Sequence, residues 1–209
     1  MFVCKIGKHH LEYGQNCQDF GMVKGNRKMV CDGCSQGAHS EVGAKAFVHL
    51  TKRGYGLEKA FERLTELFGQ QAEDVRDYLC FTILCVEERE DDFRLTCCGD
   101  GYVILEDLKG QITFLELSDG EYPQYYVYNY VDRRKMNRYR DGVRMKEHIF
   151  PKEQYRRVGA ATDGLRYVVG IAGLSEAFIQ ALQSGREVQV KRFVNKYQDF
   201  LKDDLTIAW

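Results

Sequence analysis

Two stretches in the first half of the chain carry apolar residues at helical spacing. In residues 40–53 the apolar face consists of Val42, Ala46, Phe47 and Leu50. Residues 57–68 repeat the pattern after a stop at Gly54. Recurrence at intervals of three and four residues is typical of amphipathic helices, so both stretches are predicted helices.

Apolar runs of strand length lie before and after these two helices. The run before them, residues 28–31, ends at Asp32-Gly33 and predicts a buried strand. The later runs are residues 78–86, 93–98, 102–108 and 112–117. Short turns containing Asp-Gly or Lys-Gly separate the last three, which predicts an antiparallel meander.

The end of the chain returns to helical spacing. Residues 174–182 and 188–200 are predicted helices, and residues 205–209 are a predicted closing strand. Helices segregated from a run of strands indicate a layered α+β fold rather than a doubly wound parallel sheet. A length of 209 residues fits one domain with a sizeable core, so we predict a single domain, 1–209.

Composition narrows the class of protein. Charged residues make up 29% and hydrophobic residues 44%, the balance of a folded chain. The net charge of -1 gives no general reason to expect a nucleic-acid or membrane-surface partner. The N-terminus lacks the apolar core of a signal peptide, and the longest apolar run, 78–86, is too short to span a membrane. A soluble, cytoplasmic protein is therefore expected.

Eight cysteines fit that expectation, because thiols stay reduced in the cytosol and behave as small apolar residues. They are Cys4, Cys17, Cys31, Cys34, Cys80, Cys85, Cys97 and Cys98. Cys31-x-x-Cys34 with the adjacent pair Cys97-Cys98 is a possible zinc site. A vicinal pair gives poor tetrahedral geometry, however, and no second CxxC or His pair completes the set.

Residues 119–151 form a possible flap or insertion rich in Tyr and Arg. Between the prolines, 123 and 151, stand Tyr125, Tyr126, Tyr128, Tyr130, Tyr139, Arg133, Arg134, Arg138, Arg140 and Arg144. Alternation at 126, 128 and 130 favours the aromatic face of a strand. A mobile flap whose arginines meet phosphorylated substrate is the alternative, and RNA stacking on the tyrosines is a third.

Five Asp-Gly pairs, at positions 32, 100, 119, 141 and 163, are the main candidates for chemistry. A hairpin turn explains those at 119 and 141 well. Asp32 and Asp163 instead follow strand-like runs and precede segments without strand character, and Asp203-Asp204 precedes the last strand. If these strand ends converge, their carboxylates form an oxygen-only site for Mg²⁺ or Mn²⁺. Packed carboxylates repel one another unless a cation neutralises them.

The order of these pieces resembles a known family. They are Gly-Gln-Asn-Cys-Gln-Asp at 14–19, Val-Cys-Asp-Gly at 30–33, Gly-Asp at 99–100, Ala-Thr-Asp-Gly at 161–164 and Lys-Asp-Asp-Leu-Thr at 202–206. Together they are similar to the metal-dependent protein phosphatases (type 2C serine/threonine phosphatases) in a compact bacterial-style form. The resemblance implies a four-layer α/β/β/α sandwich, in which two packed, mainly antiparallel β-sheets are flanked by helices.

The resemblance also implies a binuclear Mn²⁺ or Mg²⁺ centre. Its implied ligands are Asp32, which would bridge both ions, the carbonyl of Gly33, Asp163, Asp203 and, through water, Asp19. Asp100 matches a position that supports a third, weaker metal. Asp204 is expected to be a solvated neighbour of the ligand Asp203 and not a ligand itself.

The implied reaction is hydrolysis of phosphoserine and phosphothreonine on proteins by water that the metals activate. No side chain is needed as nucleophile, and Cys34 is given no such role. Phosphorylated proteins, with a cognate Ser/Thr kinase, are the implied partners. The alternatives are a catalytically weak pseudophosphatase or phosphoprotein-binding module on the same fold, and an unrelated α+β interaction domain whose Asp-Gly pairs are only turns.

Departures from the family pattern affect rate and third-metal binding more than fold. Gln18 stands where many relatives have a carboxylate, and Leu165-Arg166-Tyr167 stands where a further Asp is expected. The phosphate-gripping arginine of larger relatives has no match near the N-terminus, so Lys8, His9 or His10 could substitute. His10 is the candidate acid or phosphate donor, against an ordinary surface histidine.

Overall fold

The computed structural model describes residues 1–118, 120, 124–131, 139 and 141–209. Its strands are β1 Phe2–Lys5, β2 Phe20–Lys24, β3 Arg27–Cys31, β4 Ile83–Glu88, β5 Asp92–Cys98, β6 Gly101–Asp107, β7 Ile112–Leu117, β8 Lys146–Pro151, β9 Tyr155–Ala161 and β10 Leu205–Ala208. Within the described residues they form two five-stranded sheets, ordered β1-β10-β9-β6-β7 and β2-β3-β4-β5-β8. Each neighbouring pair is antiparallel.

Helices cover both outer faces of the paired sheets. They are α1 Lys8–Tyr13, α2 Ser40–Lys52, α3 Leu57–Phe68, α4 Ala72–Asp74, α5 Arg166–Val169, α6 Leu174–Gln183 and α7 Glu187–Lys196. No single helix in the described ranges is long and apolar enough to cross a membrane. Only the pair Asp163–Val169 and Leu174–Gln183, bent by 113°, reaches that length and composition when taken together.

Three apolar cores hold the layers together. Between the sheets, Val30, Leu84 and Leu95 pack against Val103 and Val158. One outer core joins α2 and α3 to the β2-to-β8 sheet, and the other joins α6 and α7 to the sheet that contains β10. The α+β, four-layer α/β/β/α prediction is therefore confirmed.

The predicted meander is wrong at one connection. Strands β5 and β6 belong to different sheets, so Gly99-Asp100 crosses from one sheet to the other. Gly99 has φ +95, and a side chain there would meet Thr82 at 2.6 Å. Both strands bury residues in the same core between the sheets, and the apolar pattern cannot distinguish a hairpin from this crossing. The β6–β7 hairpin is as predicted.

Two further strand predictions need correction. In the run 78–86 the strand begins only at Ile83, because Val75–Leu79 is a π-helical turn packed against α2. Tyr126–Asn129 is a 3₁₀ helix, so the alternating tyrosines are not a strand face. Tyr126 and Tyr130 instead pack on Phe61 of α3, at centroid distances of 5.2 and 6.3 Å.

Part of the predicted flap, 119–151, lies outside the described residues. This applies to Asp119, Pro123, Arg133, Arg134, Arg138 and Arg140. Lys146–Pro151, at the end of that segment, is strand β8 at the edge of its sheet. The remaining helices and the closing strand agree with prediction, except that α7 ends at Lys196 and Gln198–Phe200 is a 3₁₀ turn.

Candidate metal centre

Four aspartates from distant parts of the sequence line one cavity of about 700 Å³. Asp32 follows β3, Asp100 lies between β5 and β6, Asp163 follows β9, and Asp203 precedes β10. Gly33 lines the same cavity. The sandwich brings these strand ends together, so residues separated by up to 171 positions face one space (203 minus 32).

Backbone pairing fixes Asp32 at the cavity. The N–H of Thr82 donates to the carbonyl of Asp32 at 2.8 Å, and the N–H of Asp32 donates to Oγ1 of Thr82 at 3.2 Å. Two residues further, the N–H of Cys34 donates to the carbonyl of Cys80 at 2.9 Å. The Asp-Gly at 32 therefore continues as a paired segment after β3 and does not form a hairpin turn.

Close backbone packing holds the C-terminal acidic pair. A Cβ on Gly164 would lie 2.0 Å from the carbonyl oxygen of Asp204, and a Cβ on Gly7 would lie 2.3 Å from the backbone of Asp203. Both distances are far below van der Waals contact, so only glycine fits at either position. The backbone of Asp204 thus passes next to the residue that follows Asp163, and the backbone of Asp203 passes next to Gly7.

Asp204 is buried, with 2% of its surface exposed, so the expectation of a solvated neighbour is wrong. Its Oδ1 accepts a hydrogen bond from the backbone N–H of Gly7 at 2.7 Å, and its Oδ2 accepts one from the backbone N–H of Gln18 at 2.6 Å. Asp204 thereby ties two N-terminal segments to the start of β10.

Nδ1 of His10 lies 2.9 Å from Oδ2 of Asp204, an ion-pair distance without hydrogen-bond alignment. His10 is 6% exposed, so it is not an ordinary surface histidine. Among the described residues that line the cavity, none is Lys8, His9 or His10. The proposed role of His10 as acid or phosphate donor stays a prediction, and the contact seen is with Asp204.

Asp19 is buried beside the cavity and only half satisfied. Its Oδ2 accepts a hydrogen bond from Oγ1 of Thr162 at 2.6 Å, and that hydroxyl accepts one from the N–H of Thr206 at 2.9 Å. Its Oδ1 has no hydrogen-bond partner within the described chain. A buried carboxylate oxygen without a donor is costly unless water or a cation satisfies it.

The carboxylates oppose one another's ionisation. Burial raises the pKa of Asp32 well above its usual range, and the charges of Asp19, Asp163, Asp203 and Asp100 raise it further. Without a compensating cation, part of this cluster must bind protons at a pH at which isolated aspartates are ionised. A divalent ion would replace those protons.

Asp163 differs because a cation already lies beside it. Burial raises the pKa of Asp163, whereas the guanidinium of Arg166 lowers it. Nη2 of Arg166 lies 2.5 Å from Oδ2 of Asp163, and its Nε donates to the Asp163 carbonyl at 3.2 Å. A side-chain hydrogen bond also links Asp163 to Asp32. Asp163 is therefore shared between Arg166 and Asp32.

These donors fit hard divalent cations. Carboxylate oxygens and one backbone carbonyl are the ligands that Mg²⁺ and Mn²⁺ prefer. As the side chains stand, no three His, Cys, Asp or Glu residues in the described ranges converge on a single ion position. Binding would therefore draw the aspartates of the cavity closer together.

The cavity wall also contains residues outside the acidic set, and among them Arg76 carries no signal in the sequence. Arg76 lines this cavity and also a neighbouring polar cavity of about 630 Å³. Tyr125 and Tyr128, from the Tyr-rich segment, form part of the wall, and a hydrogen bond joins the side chains of Tyr125 and Cys34. Residues so far apart in the chain meet only through tertiary packing.

Comparisons with known proteins agree with this architecture. Residues 6–204 match the family model described as Protein phosphatase 2C, whereas no curated protein matches the chain. A variant of a bacterial serine phosphatase is similar in structure, with 17% identity, a TM-score of 0.68, and coverage of 100% of this chain and 96% of that chain.

Two further solved structures are similar. Serine/threonine phosphatase Stp1 from Staphylococcus aureus has 16% identity and a TM-score of 0.65, covering 99% of this chain and 92% of its own. The catalytic domain of PstP in complex with two manganese ions has 15% identity and a TM-score of 0.62, covering 99% and 94%. At these identities the structural likeness establishes the fold alone.

Proposed function

The chain belongs to the protein phosphatase 2C family, and we propose that it hydrolyses phosphoserine and phosphothreonine in proteins with two Mn²⁺ or Mg²⁺ ions. The observation that carries this proposal is the single cavity shared by Asp32, Asp100, Asp163 and Asp203. The manganese ions bound by the similar PstP domain support the choice of cation.

Each acidic residue has a proposed place at the centre. Asp32, the carbonyl of Gly33, Asp163 and Asp203 would hold the ions. Asp19 would act through water, since its free Oδ1 is buried beside the cavity, and Asp100 would support a third ion. Such ions, when bound, lower the pKa of water and neutralise charge on phosphate.

Binding of the substrate phosphate falls to a side chain of the protein itself. Arg76 is the one cationic side chain among the described residues that line the cavity. Its guanidinium now pairs with Asp77, Nε to Oδ1 at 2.8 Å and Nη2 to Oδ2 at 3.2 Å. We assign Arg76 to binding of the substrate phosphate, because a planar guanidinium binds phosphate oxygens as readily as it binds carboxylate oxygens.

The biological setting is proposed from the sequence. Substrates would be phosphorylated proteins, opposing a Ser/Thr kinase in the cytoplasm, without a nucleic-acid or membrane partner. The chain would act as one domain, 1–209.

A catalytically weak, phosphoprotein-binding protein is the second candidate, and one contact favours it. Arg166 holds Oδ2 of Asp163 at 2.5 Å, so a guanidinium competes with any ion for that ligand. This candidate predicts that the wild-type protein binds a phosphopeptide without hydrolysing it.

A colorimetric assay separates the two. We expect an aryl phosphate to be hydrolysed in Mn²⁺, with activity lost in chelator and in Asp32→Ala. Asp107→Ala, at the end of β6, is the matched control and should retain activity. Turnover unaffected by chelator would exclude the metal mechanism. Metal binding without turnover, together with phosphopeptide binding, would favour the second candidate.

A further inference from the structure

Two cysteines outside the acidic cavity lie in contact. Sγ of Cys4, on β1, is 3.4 Å from Sγ of Cys17, in the segment that precedes β2. Cys4 is exposed and Cys17 is partly exposed, whereas Cys31, Cys80, Cys85, Cys97 and Cys98 are buried. Cys4 and Cys17 are both free thiols. They therefore combine proximity with access to solvent.

We propose that Cys4 and Cys17 form a reversible disulfide and act as a thiol redox site. A bond requires the sulfurs to approach from 3.4 Å to about 2.05 Å. Cys17 lies in a segment without regular secondary structure, residues 15–19, which can supply this small movement. Accessible dithiols that oxidise in this way are the usual form of disulfide in reducing compartments.

The chemistry is thiol–disulfide exchange with a low-molecular-weight disulfide such as oxidised glutathione. The exposed Cys4 thiol loses its proton and attacks that disulfide, which releases one glutathione thiol and leaves a mixed disulfide. The Cys17 thiol then attacks the Cys4 sulfur and releases the second glutathione. The two protein sulfurs are oxidised by two electrons in total, and the glutathione disulfide is reduced by the same two.

The new bond would tether the segment before β2 to β1. Both sulfurs already lie against the carbonyl oxygen of Asp19, at 3.7 Å for Cys4 and 3.8 Å for Cys17. Closing a loop between positions 4 and 17 restricts the unfolded chain and stabilises the fold. For a chain of this size we expect the melting temperature to rise by roughly 5–10 °C.

The test is peptide mapping of the whole chain after treatment with oxidised glutathione. We expect a cross-linked peptide that joins positions 4 and 17, a rise in melting temperature, and reversal of both by dithiothreitol. Cys4→Ser and Cys17→Ser should each lose the cross-link and the thermal shift. Cys80→Ser, which changes a buried thiol, should keep both.

Three results would overturn the proposal. They are full alkylation of both thiols after oxidation, stable glutathione adducts on Cys4 without closure, and a shift that persists in Cys17→Ser. None of these readouts depends on phosphatase activity, so the site and the proposed function can fail separately.

Discussion

Arg166 forms an ion pair with Asp163, one of the four aspartates that line the acidic cavity, with Nη2 2.5 Å from Oδ2. Arg166 is 45% exposed on its side chain and Asp163 only 18%, so the pair lies at the cavity's edge. Asp163 also shares a hydrogen bond with Asp32. A protein cation therefore occupies one oxygen that we assign to a metal.

This contact predicts the effect of Arg166→Gln. Removing the guanidinium frees Oδ2 of Asp163 and makes the cavity more negative, so Mn²⁺ should bind more tightly. Because the ion pair is partly exposed and screened by solvent, we expect the Kd for Mn²⁺ to fall by only about two- to fivefold. Calorimetric titration of the metal-free protein measures it. Arg186→Gln, at the N-terminus of α7, is the control and should leave Kd unchanged. Weaker binding in Arg166→Gln would mean that Arg166 orients Asp163 for the metal.

A second prediction concerns pH. The folded-state pKa of Asp32 is raised above its ordinary value of 3.8, so its ionisation in the folded protein costs stability as pH rises above that value. Asp32→Asn removes this cost. In chelator, the stability advantage of Asp32→Asn over wild type should therefore grow from pH 4 towards neutral pH.

Denaturant unfolding at several pH values measures that advantage, and Mn²⁺ should reverse it, since wild type alone gains the bound ions. An advantage that does not change with pH would show that the pKa of Asp32 is not raised in the folded protein.

A third prediction tests the phosphate role of Arg76. Arg76→Ala removes the cationic side chain from the cavity wall, so KM for a phosphopeptide should rise about five- to tenfold while kcat changes less. Steady-state kinetics measures the two separately. Arg63→Ala is the matched control, because Arg63 is also exposed and paired with an acidic side chain, Glu66. An unchanged KM in Arg76→Ala would remove Arg76 from the substrate site.

A fourth prediction concerns Asp204 as an anchor. Asp204→Ala leaves the N–H groups of Gly7 and Gln18 without their acceptor in a buried place. We expect a loss of about 2–4 kcal/mol in the free energy of unfolding. Urea unfolding in chelator measures it without any metal contribution. Asp199→Ala, at an exposed site, should change stability little, and an equal loss there would refute the anchor role.

The layered fold and most elements could be predicted because each stretch follows a simple period. Residues 40–53 and 57–68 repeat at helical spacing and are α2 and α3. The pattern failed where two structures share one periodicity. Residues 93–98 and 102–108 look like a hairpin, yet Gly99-Asp100 carries the chain into the other sheet. The alternating tyrosines likewise form a 3₁₀ turn that packs on Phe61.

The cavity was partly predictable for a different reason. Asp32 and Asp163 follow strands and do not sit in hairpins, and strand ends in a sandwich converge, so their meeting could be expected. Arg76 could not be found, because nothing in its local sequence separates it from any exposed arginine. Asp204 was misjudged, because burial depends on Gly7 and Gln18, which pack against it from the opposite end of the chain.

The most direct measurement of the central claim is an anomalous difference map from crystals soaked in Mn²⁺. We expect two peaks in the cavity, about 3.5–4 Å apart, with Asp32 in contact with both and Asp163 and Asp203 in contact with one. Peaks only elsewhere on the surface, or none within reach of Asp32, would contradict it.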